Sequence, residues 1–128
     1  MTVFQECLIN WYQENHRDFP WRQDHDPYHI WISEIMLQQT TTETVIPYYQ
    51  NFIEHFPTVD DLAWASLEDV YKMWEGLGYY RRAKHLHESA KMIVDQYQGV
   101  FPCQYEDIIA LKGVGEYTAG AILSIAYF

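Results

Sequence analysis

The chain has 128 residues, 48% of them hydrophobic and 17% aromatic, and this length suits one domain that buries about two thirds of its unfolded surface. Eighteen acidic residues against eight basic ones give a net charge of −10, which excludes binding of a polyanion over a broad basic face. The lack of a signal peptide and of an apolar run of about 18 residues predicts a cytoplasmic protein without membrane contact.

Hydrophobic spacing predicts helices along the whole chain, and no segment alternates with the period of two that a strand requires. The predicted helices span residues 3–15, 28–39, 41–55, 67–76, 79–98, 105–110 and 117–127. Pro47 is expected to begin its helix or to kink it, and Ser66 with Asp69 has the form of a capping box. These elements predict an all-α orthogonal bundle.

The basic residues Arg81, Arg82 and Lys84 cluster beside a glycine-containing turn at 76–80. In an acidic chain, any contact with a nucleic acid must be local and must use backbone N–H groups, inserted side chains and a few arginines. A basic trio on a helix is also typical of a solvated helix face, and the sequence leaves both interpretations open.

A glycine hairpin at 111–115 opens directly into a helix of small residues. Gly113 and Gly115 permit a tight turn and a close approach to a ligand, and the free N–H groups and dipole of the next helix favour an anion. The hairpin therefore predicts a phosphate site. A plainer interpretation is that the glycines only end one helix and begin the next.

The residues that could bind metals give no metal site. Cys7 and Cys103 lie far apart without CxxC or CxxH spacing, and the six histidines form no ligand motif. We expect reduced thiols and assign no metal and no cofactor to this chain.

Five motifs occur in order along nearly the whole chain. They are Phe-Pro-Trp-Arg at 19–22, Asp-Pro-Tyr at 26–28, Trp-Ile-Ser-Glu-Ile-Met-Leu-Gln-Gln-Thr at 31–40, Gly-Leu-Gly-Tyr-Tyr at 76–80 and Gly-Val-Gly-x-Tyr-Thr-Ala-Gly-Ala at 113–121. Together they resemble the A/G-specific adenine DNA glycosylase family, and the Leu-Gln-Gln-Thr segment separates this branch from the related endonuclease III glycosylases. The resemblance implies the helix-hairpin-helix DNA glycosylase fold and removal of adenine mispaired with 8-oxoguanine or guanine.

Glu34 is the general acid that the resemblance implies. Adenine leaves more easily when its ring is protonated, and the apolar neighbours Trp31, Ile32, Ile35 and Leu37 are expected to desolvate the carboxyl and raise its pKa. The alternative is a surface glutamate on an amphipathic helix.

The resemblance also assigns Tyr117, which stands where bifunctional relatives hold a nucleophilic lysine. It implies a monofunctional enzyme in which the Tyr117 hydroxyl helps to position a sugar-stabilising carboxylate. Lys112, where the family usually has proline, is not a substitute nucleophile.

The contacts with DNA follow the same resemblance. Gln38, Gln39 and Tyr79 match residues that insert into the duplex, and Trp21 and Arg22 match residues that line the adenine pocket. The hairpin residues assigned to DNA binding are Leu111, Gly113, Val114 and Gly115.

The implied domain organisation places residues 1–128 in the N-terminal part of the catalytic domain. The second carboxylate, the cysteines of a [4Fe–4S] cluster and the domain that recognises 8-oxoguanine are expected in the full-length protein, outside this chain. The implied partner is double-stranded DNA with A:8-oxoguanine or A:G mispairs, bound by a monomer at the bacterial nucleoid. A noncatalytic helix-hairpin-helix module and a helical protein-interaction domain remain alternatives.

Overall fold

The computed structural model describes residues 25–127, and each regular element within that range is an α-helix. The helices are α1 (Pro27–Leu37), α2 (Thr42–His55), α3 (Val59–Trp64), α4 (Leu67–Trp74), α5 (Tyr80–Tyr97), α6 (Tyr105–Ile109) and α7 (Glu116–Tyr127). The all-α prediction is confirmed. The predicted helix at 3–15, together with Trp21 and Arg22, lies outside the described residues.

Helix α1 is the central helix of the bundle and packs against α7, α2 and α5. It begins where the Asp26 carboxylate accepts the Tyr28 N–H at 2.9 Å, with Pro27 in its first turn. Each residue from 30 to 36 is buried. A helix that is apolar on all sides requires partners all round, and α1 therefore forms the centre of the core.

Helix α3 was missed by the sequence analysis. It has only six residues, too few for hydrophobic periodicity to be detected, and a complete capping box between Thr58 and Asp61 fixes its start. The next helix begins as predicted, because the Ser66 hydroxyl accepts the Asp69 N–H at 3.1 Å. Pro47 lies inside α2 and not at its start.

The turn between α4 and α5, residues 75–79, follows the buried Trp74. The Trp74 ring packs edge-on against Phe52, with 6.0 Å between ring centroids, and its Nε1 donates to the Gly78 carbonyl at 2.9 Å. Gly76 has φ +93°, and a Cβ there would overlap the Tyr48 hydroxyl. Glycine is therefore favoured at this position for two reasons, the positive φ and the lack of space for a Cβ.

Substitutions at the two glycines of this turn separate backbone strain from steric overlap. Gly78 has a similar φ of +83° but open space around a Cβ. We expect Gly78→Ala to lower the free energy of unfolding by about 1 kcal/mol, and Gly76→Ala by about 2–3 kcal/mol, in urea denaturation. In a Tyr48→Phe background, the loss of unfolding free energy caused by Gly76→Ala should fall to about the loss caused by Gly78→Ala. An unchanged difference between the two losses would show that the Tyr48 hydroxyl is not the obstacle.

Candidate active site

Glu34 is buried within α1, with only 6% of its surface exposed. Its neighbours in sequence, Trp31, Ile32 and Ile35, are also buried, so this part of α1 lies in the core. The alternative of a surface glutamate on an amphipathic helix is wrong.

The end of α1 is bonded to the glycine hairpin through Gln38. The Gln38 side-chain amide donates to the Gly113 carbonyl at 3.3 Å and to the Thr118 hydroxyl at 3.4 Å. These bonds join the hairpin and the first turn of α7 to Gln38, which follows Glu34 by four residues in sequence. The Gln38 amide faces the protein, whereas Gln39 next to it is exposed.

The hairpin has a buried and an exposed side. Leu111 and Val114 are buried and anchor it, whereas Gly113 and Gly115 are exposed. Gly113 has φ +78°, which confirms that the turn itself requires glycine there. Gly115 is not among the residues with positive φ, and a Cβ at that position meets nothing within 4 Å. The predicted need for two glycines in the turn is therefore corrected to one, and neither backbone nor packing explains Gly115.

Helix α5 supports the hairpin from the opposite side. The Ser89 hydroxyl accepts the Lys112 N–H at 2.9 Å, and the Lys112 ammonium lies 2.6 Å from the Glu88 carboxylate. The hydrogen bond from the Lys112 ammonium is the main cause that lowers the pKa of the Glu88 carboxyl. Because Glu88 binds the ammonium, the contact agrees with the assignment of Lys112 as a structural residue and not a nucleophile.

Tyr117 lies in the first turn of α7, directly after the hairpin, and 53% of its surface is exposed. It is thus placed at the surface formed by the hairpin, on a helix that packs against α1. A tyrosine packed in the core is ruled out.

Among residues 25–127, four exposed residues other than glycine have left-handed backbones, namely His25, Gln39, Tyr79 and Gln98, and two of them lie in turns beside the site. Gln39 has φ +62° in the turn between α1 and α2, and Tyr79 has φ +53° in the turn before α5. Positive φ is uncommon for residues other than glycine and indicates an imposed local conformation. Both were predicted as residues that insert into DNA, and 60% of the Tyr79 surface is exposed.

Arg82 bonds to both of these turns, which the sequence analysis did not predict. Only 9% of its surface is exposed, so the alternative of a solvated helix face is wrong for Arg82. Its guanidinium donates to the carbonyls of Ile35, Met36, Gln38 and Gly78 and to the Thr40 hydroxyl. A pattern could have revealed it, because Arg82 precedes Leu86 by four residues on the apolar stripe of α5.

No group of three or more His, Cys, Asp or Glu side chains that could hold a metal is found within residues 25–127. Cys103 is free and exposed. The whole chain contains two cysteines, which cannot supply the four thiolates of a [4Fe–4S] cluster. The residues present therefore do not fit that cofactor. Over the same part of the chain, no helix is long and apolar enough to cross a membrane.

Known proteins resemble this chain in sequence. An adenine DNA glycosylase of Buchnera aphidicola subsp. Schizaphis graminum is 47% identical over 125 residues, which cover 97% of this chain and 36% of that protein. The adenine DNA glycosylase of Homo sapiens is 46% identical over 136 aligned positions, with 99% of this chain and 25% of that protein covered. The chain thus spans about a third or less of the length of these relatives.

Solved structures share the fold. A thermostable thymine-DNA glycosylase superposes with a TM-score of 0.82 at 32% identity, over 98% of this chain and 58% of that one. An endonuclease III trapped in a covalent complex with DNA superposes with a TM-score of 0.80 at 23% identity, over 96% of this chain and 57% of that one. This likeness indicates a common fold. The family model described as HhH-GPD superfamily base excision DNA repair protein matches residues 32–119. Because that match covers more than half of the chain, the chain belongs to the HhH-GPD superfamily of base excision DNA repair proteins.

Proposed function

We propose that this protein is a monofunctional DNA glycosylase that removes adenine mispaired with 8-oxoguanine or guanine, with Glu34 as the general acid. The observation that carries the proposal is the burial of Glu34 on a helix whose end is bonded to the glycine hairpin. The similarity to adenine DNA glycosylases over nearly the whole chain supports adenine as the base.

The reaction requires a proton at the leaving base. Glu34, when protonated, donates its proton to a ring nitrogen of adenine, and the bond between the sugar C1′ and the base breaks with its electron pair going to the purine. Water then adds to C1′ and loses a proton, which yields free adenine and an abasic strand. Tyr117 in place of a lysine provides no amine for a Schiff base, so the strand stays intact.

The target base must leave the helical stack before Glu34 can reach it. This step costs a few kcal/mol, which inserted side chains offset. Gln39 and Tyr79 are exposed on neighbouring turns and are suited to that role, whereas the half-buried Gln38 bonds to the hairpin. Trp21 and Arg22 remain predicted residues of the adenine pocket, outside the described part of the chain.

The hairpin is the proposed phosphate contact. Leu111 and Val114 hold it in place, and the open space at Gly115 lets a phosphate approach the N–H groups at the start of α7. A local contact of this kind is compatible with a net charge of −10.

The remaining parts of the proposal concern the full-length protein. Residues 1–128 form the N-terminal part of its catalytic domain, and a sugar-stabilising carboxylate, a [4Fe–4S] cluster and an 8-oxoguanine-binding domain belong to other segments. The protein acts as a monomer on double-stranded DNA at the bacterial nucleoid.

Glu34→Gln tests the chemistry. In the full-length protein we expect single-turnover release of adenine from an A:8-oxoguanine duplex to slow by about a thousandfold, because the amide has no transferable proton. The dissociation constant for the duplex should change little, since the side chain keeps its shape. Glu54→Gln on the exposed face of α2 is the matched control. Near-normal release by Glu34→Gln would refute the assignment, and tight binding without release by the unmodified protein would favour the noncatalytic module.

Gly115→Ala tests the hairpin. The free energy of unfolding should stay within about 0.5 kcal/mol of the unmodified protein, because the added methyl meets no neighbour. Affinity for duplex DNA should fall about tenfold, because the methyl group keeps the phosphate from the N–H groups. The slope of log affinity against log salt should stay unchanged, because neutral N–H groups do not replace counterions. Unchanged affinity would exclude a phosphate at this position.

A further inference from the structure

We propose that Arg82 is a positioning residue that holds the Gln39 turn and the Tyr79 turn in one fixed arrangement for entry into the DNA duplex. The Gln39 turn comprises residues 38–40, and the Tyr79 turn comprises residues 76–79. The inference rests on the proposed function, because that function gives Gln39 and Tyr79 their role at the mispair. It adds a residue that acts through them without touching the reacting atoms.

One guanidinium joins two segments that are far apart in sequence. Nη1 shares its two hydrogens among the Ile35, Met36 and Gln38 carbonyls, at 2.9, 2.9 and 2.5 Å. Nη2 donates to the Gly78 carbonyl at 3.2 Å and to the Thr40 hydroxyl at 3.4 Å. Because both nitrogens belong to one rigid plane, the two turns cannot move independently while these bonds persist.

The bonds lie at the peptide groups that determine the unusual backbone of each turn. The Gln38 carbonyl belongs to the peptide that immediately precedes Gln39, and the Gly78 carbonyl belongs to the peptide that immediately precedes Tyr79. The orientation of that peptide contributes directly to the φ angle of the residue after it. Left-handed conformations of residues such as Gln39 and Tyr79 persist only where the surroundings enforce them. Arg82 provides this constraint at both positions.

The guanidinium also determines where the exposed Tyr79 ring lies. Its central carbon is 5.3 Å from the centre of the Tyr79 ring and 5.4 Å from that of the buried Trp74 ring. A cation over an aromatic face is attracted by the ring. The Tyr79 side chain is therefore held against a fixed support while more than half of its surface remains available to DNA.

Arginine is required here for its shape as well as its charge. A lysine ammonium could bond some of the α1 carbonyls, but it has no second planar nitrogen to reach the Gly78 carbonyl and it stacks less well. Arg82→Lys is therefore expected to remove the link between the two turns, while it keeps a positive charge at the end of α1.

Two substrates distinguish positioning from general stability. The first is a duplex with adenine opposite 8-oxoguanine, in which the base must be unstacked by the protein. The second carries the same adenine in a small internal loop, where it is already unstacked. Single-turnover adenine release is measured for the full-length protein, Arg82→Lys, Arg82→Met and the control Lys91→Met, which removes an exposed charge from the same helix.

We expect both Arg82 variants to lose about a hundredfold on the paired substrate and less than about fivefold on the loop substrate, with Lys91→Met unchanged on both. Equal losses on the two substrates, or near-normal release of paired adenine by Arg82→Lys, would overturn the role of Arg82 and leave the proposed function intact. If Arg82→Met does not fold, Arg82→Lys alone decides. Absence of release by the unmodified protein from both substrates would overturn the proposed function itself, and the role of Arg82 with it.

Discussion

Residues 30–36 of α1 are all buried, so the Ile35 and Met36 carbonyls near the end of the helix need donors from within the protein. Arg82 of α5 supplies those donors, and the negative end of the α1 dipole stabilises its charge. Burial lowers the pKa of Arg82 from its usual high value. Loss of the guanidinium would leave buried carbonyls at the end of α1 unsatisfied and would release the Gln39 turn that follows them.

Helix α5 is the common support of the candidate site. Its first turn bonds to the end of α1 through Arg82, and two turns later Glu88 and Ser89 hold the glycine hairpin. Gln38 joins the same hairpin to α1 directly. The buried carboxyl, the hairpin and the two left-handed turns are thus connected through α5, which suits the proposed binding of DNA and reaction at one base.

Much of this arrangement could be predicted from sequence, and the failures have physical causes. The longer helices α1, α2, α5 and α7 follow their predicted limits within one or two residues, because each repeats its apolar positions over several turns. Gly113 was predicted because only glycine accepts its φ easily. The left-handed backbones at Gln39 and Tyr79 were not predicted, because no residue type in these two turns indicates a positive φ at those positions. The burial of Arg82 was not predicted, because the Ile35, Met36 and Gln38 carbonyls that accept from it lie 44 to 47 residues away in sequence.

The most direct test of the account is a crystal structure of the full-length protein on a duplex whose adenine nucleotide resists hydrolysis, paired with 8-oxoguanine. The account predicts an extruded adenine with a ring nitrogen in hydrogen-bond contact with the Glu34 carboxyl, and a phosphate on the N–H groups that follow Gly113. Gln39 and Tyr79 should enter the stack with Arg82 still bonded to both turns. An adenine held away from Glu34, or DNA bound on another face, would contradict the account.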